Sequence, residues 1–68
     1  MHKKLIDFLR ALKPNDNVIF VFSGIVISGN VVRFDESNDC IELSGCSLSG
    51  TSYNRNITII VRLITAWG

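Results

Sequence analysis

A single arginine inside an apolar stretch is costly to bury without a partner, and Arg62 sits between the apolar runs 57–61 and 63–67. Its guanidinium can close an ion pair, for which Asp35 and Asp39 are candidate carboxylates, or stack on an unpaired nucleic-acid base. Asp35-Glu36-Ser37-Asn38-Asp39 is a polar stretch made of ordinary turn residues. Within it, Asn38 offers a base edge both a donor and an acceptor, while Asp39 repels phosphate but accepts from an exocyclic amine. Lys3, Lys4, Arg10 and Lys13 form either a solvated helix face or a set of phosphate contacts. Tyr53 and Arg55 lie in a polar loop, and Trp67 suits an apolar interface better than a stacking platform.

These residues assemble no catalytic apparatus. The one histidine, His2, lies near a terminus where chains fray, so no nucleophile has a steady base. No glycine-rich phosphate loop of the Walker type occurs, and so small a domain rarely forms a carboxylate-lined cleft. Cys40 and Cys46 could bridge or share a metal, but one histidine completes no ligand set. The expectation is a non-enzyme with two reduced thiols, no metal and no cofactor, in the cytoplasm.

Sixty-eight residues make one domain, 1–68, of a size that buries only about 60% of its unfolded surface. Yet 47% of the residues are hydrophobic and mean hydropathy is +0.32. That excess implies surface covered by another chain. A formal charge of +1 excludes a generally basic coat, though not a local basic patch. Residues 1–34 carry a net +3 and residues 35–68 a net −2, so the two halves face different electrostatic tasks. The longest apolar runs, 18–22 and 57–61, fall far short of the roughly 20 residues of a membrane-spanning helix. The first residues also lack the apolar core and cleavage site of a signal peptide. No membrane association is expected.

The elements that must position these side chains follow from periodicity. Leu5, Phe8, Leu9 and Leu12 make one apolar stripe, which predicts a helix over about 2–12, ended by Pro14 and Asn15-Asp16-Asn17. Strands are predicted at about 17–23 and 25–35, broken by Ser23-Gly24, then at about 40–44, 56–63 and 64–67. Gly29, in mid-strand, marks a sharp bend or a close backbone approach. Residues 45–56 show no period and read as a loop. One helix followed by five short strands predicts a mainly β fold, a strongly bent five-stranded antiparallel barrel capped by the helix. Both faces of the run 57–61 are apolar, so it is either fully buried or paired with a neighbouring copy.

The stretch Gly24-Ile25-Val26-Ile27-Ser28-Gly29-Asn30-Val31-Val32-Arg33-Phe34-Asp35 resembles the first signature of the Sm/LSm-like family, and most nearly that of its bacterial Hfq branch. Phe8-Leu9-Arg10-Ala11-Leu12 is similar to that branch's N-terminal helix, and Ile60-Val61-Arg62-Leu63-Ile64 stands where the second signature falls. The resemblance covers nearly the whole chain outside residues 44–56. It implies an Sm-like fold in a homo-oligomeric ring of about five to eight copies, strand four of one subunit pairing with strand five of the next. It also implies single-stranded RNA bound around the pore by loops after strands two and four.

Several positions depart from the pattern. Asp39, or Asn38 if the loop shifts, stands where the family carries its base-binding asparagine, and Arg62 is followed by Leu63 rather than glycine. Leu5 replaces the helix glutamine of the uridine site, and Pro14-Asn15-Asp16 replaces an arginine-rich rim. The expected function is thus a ring binding single-stranded RNA, or else DNA, in RNA processing or regulation. Arg62, Asn38, Asp39 and Asp35 would act at the pore, with Lys3, Lys4 and Arg10 contributing more weakly from the helix face. The alternative is a homo-oligomeric scaffold or protein-interaction module that keeps the ring and binds no RNA.

Overall fold

Leu5 and Leu9, one helical turn apart, are almost wholly buried and fix α1 (Lys3–Arg10) to the sheet beneath it. The computed structural model describes residues 3–68, with side chains from Lys4 onward; His2, where the expected helix begins, lies outside the described residues. Ile6, Phe8 and Leu12 pack against the same core, while Lys4, Asp7 and Arg10 face solvent. The helix stops at Arg10 because Ala11 and Leu12 turn more tightly, donating at 3.2 Å to the carbonyls of Phe8 and Leu9, three residues back. The next turn is held by the Lys13 N–H donating to Asp16 Oδ2 at 2.8 Å, and Asn15 takes a φ of 74°. It is stitched to the sheet at Val31, whose carbonyl accepts from the Asn15 N–H and whose N–H donates to the Asp16 carbonyl, both at 2.8 Å.

β1 (Asn17–Phe22) and β2 (Ile25–Asp35) form an antiparallel hairpin across Ser23-Gly24. Both turn residues have positive φ, 49° and 75°, as a two-residue loop that follows the strand twist requires. β2 then pairs with β3 (Cys40–Leu48). The other edge of β3 carries two short strands end to end, β4 (Thr51–Ser52) at Leu48 and β5 (Ile57–Ile60) at residues 40–43. A single 3₁₀ turn, Val61–Leu63, leads to β6 (Ala66–Trp67), which pairs with Val21 and Phe20 of β1. Among the described residues this is one antiparallel sheet of six strands in the order β4-β3-β2-β1-β6, with β5 also on β3. β5 and β6 do not pair with each other, so the sheet is open.

The class is therefore mainly β with one N-terminal helix, and the strand limits differ from expectation in three places. β3 runs four residues beyond 44 and folds back into β4, so the segment 45–56 is half sheet and the strands number six, not five. β5 ends at Ile60 rather than 63, because the chain tightens at Val61–Leu63. The last strand is only Ala66–Trp67.

The bend in the sheet has a local cause. Ser28 faces Ser47 and Asn30 faces Ser44, so Gly45 and Cys46 together oppose Gly29. Gly45 supplies the left-handed φ of 59° that this kind of bulge needs. A second shift leaves Val32 as the extra residue on β2. At Gly29 a Cβ would stand 3.0 Å from the Ser44 carbonyl oxygen and 3.3 Å from both Cys46 Sγ and Leu43 Cβ. Only glycine lets the two strands approach so closely.

Phe20, Ile27, Ile41, Leu43, Cys46 and Ile64 fill the concave side with Leu5 and Leu9. No polar or charged residue is buried among the described residues. Large apolar side chains nevertheless remain exposed, including Ile19, Val26, Ile60, Leu63 and Trp67. No described helix is long and apolar enough to cross a membrane.

Candidate functional site

The turn that joins β2 to β3 is built around one carboxylate. Asp35 Oδ1 accepts from Ser37 Oγ at 2.8 Å and from the Asn38 N–H at 3.3 Å, and its Oδ2 accepts from Asn38 Nδ2 at 2.7 Å. These bonds favour the ionised form, so the Asp35 carboxyl titrates below the usual carboxylate range, the Asn38 side-chain amide contributing most. With its nitrogen committed to Asp35, the Asn38 amide turns Oδ1, an acceptor, away from that bond. The Asp39 N–H closes the turn on the Glu36 carbonyl at 3.2 Å, and Asp39 takes a φ of 56°. Asparagine and aspartate tolerate that region better than most residues.

Asp39 then ties this turn to the 3₁₀ segment. Its carbonyl accepts from the Val61 N–H at 2.8 Å, and its Oδ2 accepts from Arg62 Nη1 at 3.0 Å. Asp35, Asn38, Asp39 and Arg62, all named from the sequence, thus come together in one place. Of the two carboxylates considered for Arg62, the partner is Asp39. The ion pair stays open to solvent, with the Arg62 side chain 71% exposed and that of Asp39 37%.

The helix-face residues fare differently. Arg10 reaches Glu36 with two donors, Nε to Oε1 at 2.9 Å and Nη2 to Oε2, a bidentate clasp that ties the helix end to the same turn. That hydrogen bonding, and the charges behind it, raises the Arg10 pKa and lowers that of Glu36. Lys4 projects into solvent with no ion-pair partner among the described residues; Lys3 begins α1 but its side chain lies outside the description. Arg33 lies against Glu42 at 3.4 Å, and Glu42 also accepts from Asn56 Nδ2 at 2.9 Å. Glu36, Glu42 and Asn56 carried no signal in the sequence, because each partner is distant along the chain and only the fold brings it near.

A cleft of about 340 Å³ opens between α1 and β2, floored by Leu9, Leu12, Val31 and Phe34, with Arg10, Arg33 and Glu36 at its rim. Cys40 and Cys46 are both free thiols, and burial pushes the Cys46 pKa up, so that group stays protonated. No cluster of three or more His, Cys, Asp or Glu among the described residues could hold a metal. Tyr53 and Arg55 are exposed on the segment between β4 and β5, and Arg55 makes no ion pair among the described residues. Comparison with protein-family models, curated proteins and solved structures finds no match to this chain.

Proposed function

We propose that this chain is an Sm/LSm-like subunit of a homo-oligomeric ring, and that it binds single-stranded RNA at the cluster of Asp35, Asn38, Asp39 and Arg62. One observation carries the proposal: an exposed arginine and a polar turn, distant in sequence, converge on a site with donors and acceptors for a base edge. Arg62 gives one N–H to Asp39 and keeps the rest of its five donors and its planar face for a nucleotide. The ring is supported by the free outer edges of β5 and β6 at opposite margins of the sheet, beside exposed Ile60, Leu63 and Trp67. The bend at Gly29 and the helix lying over the sheet agree with the Sm-like reading. Lys4 would add a phosphate contact from the helix face; Arg10, clasped by Glu36, would add less.

A second reading, a ring that serves as a scaffold, draws on a different observation. Arg10, Arg33 and Arg62 each already face a carboxylate, so the positive charge in and around the candidate site is matched within the chain and attracts a polyanion less.

Native mass spectrometry together with RNA-binding titrations at low and moderate salt separates the two. A closed oligomer that binds single strands, and that loses about tenfold or more in affinity with Arg62→Ala, supports the RNA reading. Arg62→Lys should restore only part, because lysine keeps the charge without the planar face. A closed oligomer with no affinity even at low salt leaves the scaffold. A monomer at micromolar concentration overturns both.

A further inference from the structure

Resting on the RNA reading, we propose that the Asp39–Arg62 pair selects guanine: Asp39 accepts from the base's N1–H and N2–H while Arg62 donates to O6. The hydrogen bonds already present set this polarity. Asp39 Oδ2 takes one donor from Arg62 at 3.0 Å, and a carboxylate has lone pairs left on both oxygens. Asn38 spends one of its two Nδ2 hydrogens on Asp35 at 2.7 Å, which leaves it one N–H and the Oδ1 acceptor beside the pair. The ion pair itself therefore sets a donor, the Arg62 guanidinium, directly beside an acceptor, the Asp39 carboxylate.

Guanine is the base whose edge complements that order, with an acceptor at O6 followed by donors at N1 and N2. Uracil sets its O2 carbonyl against the carboxylate, and adenine and cytosine set an unprotonated ring nitrogen there. Each mismatch leaves lone pairs facing lone pairs, which rejects a base more strongly than a merely absent contact. Asp39 is also held ready for this task, because its N–H and its carbonyl are anchored to Glu36 and to Val61. The nearby carboxylates of Asp35 and Glu36 repel phosphates, so recognition here is of a neutral base edge and not of the backbone.

The test is fluorescence anisotropy with short labelled strands of uridine and adenosine that carry spaced guanosines, which avoids stacked guanine assemblies. Matched strands carry adenosine or inosine at the same positions. The guanosine strand should bind about tenfold more tightly than the adenosine strand, the discrimination of one paired base contact. Inosine, which keeps O6 and N1–H but lacks the N2 amine, should bind between the guanosine and adenosine strands, and this arm changes only the RNA. Asp39→Asn should bring guanosine and adenosine strands to equal affinity; asparagine accepts the φ of 56°, so folding is retained. Equal binding of guanosine and adenosine strands by the unaltered protein overturns the guanine assignment while the RNA reading stands. Failure to bind any strand overturns both.

Discussion

Two regions of this small sheet are made of opposite materials. Around the β2–β3 turn, charge is abundant and already matched: Asp35 with Asn38 and Ser37, Glu36 with Arg10, Asp39 with Arg62. At the margins, β5 and β6 each lack a backbone partner on their outer side, and Ile60, Leu63 and Trp67 stand exposed at 37%, 49% and 37%. The first region is complete within one chain. The second is not. What these margins leave unsatisfied is apolar surface and strand edge rather than charge, which is why the proposed ring rests on the margins and the proposed RNA site on the turn.

The contrast breaks most visibly at β5, where neighbouring isoleucines differ in environment. Ile59 is 3% exposed in the core and Ile60 faces outward. Ile59→Lys should unfold the protein, a loss of roughly 3 kcal/mol or more, because an unpaired ammonium cannot stay buried. Ile60→Lys should leave the circular dichroism spectrum intact and turn the proposed oligomer into monomers in sedimentation. An oligomer unaffected by Ile60→Lys would mean that the margin of β5 is not the assembly surface.

A smaller effect is expected where the sheet bends. Gly29→Val should lower stability by more than about 1 kcal/mol in urea titrations, since the new side chain meets the Ser44 carbonyl and the Cys46 sulfur. A melting temperature within a degree or two of the parent, on the order of the shift from a few tenths of a kcal/mol, would show that the strands do not approach so closely.

The smallest effect belongs to the matched charges. Asp35 and Glu36 have lowered carboxyl pKa values in the folded chain, so the unfolded chain binds more protons through the acid range. Their contribution is fully present above the unfolded carboxylate values near about pH 4 and is lost as pH falls through the folded ones. Both groups are exposed, so the acid decline of the melting temperature should be shallow, and Glu36→Gln should make it shallower still. An acid decline unchanged by Glu36→Gln would mean that the clasp to Arg10 contributes nothing.

Much of the fold was legible in the sequence where periodicity was unbroken. The stripe through Leu5 and Leu9, the break at Ser23-Gly24 and the special place of Gly29 all follow from local pattern. β3 beyond residue 44 did not, and the reason is the bulge itself. Leu43, Cys46 and Leu48 all point to the core side, but the extra residue at Gly45 shifts the alternation by one, so no period-two pattern spans it. β5 was overextended because the apolar character continues through Val61 and Leu63 while the backbone does not. At the candidate site Arg62 and its possible carboxylates were visible as residue types. That Asp39 holds it, and that Asp35 is instead occupied by Asn38, is decided by turn geometry that composition does not encode.

β3 is the strand on which three others depend, with β2 along one side and β4 and β5 sharing the other. The β1–β2–β3 meander needs only short loops and can nucleate early, and β5 can join once β3 is in place. β6 is different, because its partner is β1, the strand farthest from it along the chain. That pairing closes the longest loop in the sheet for a register of two residue pairs, so it bears the largest closure cost. Wherever it is open, β1 presents a bare edge, and the β6 of a second copy would fit that edge as well as the chain's own.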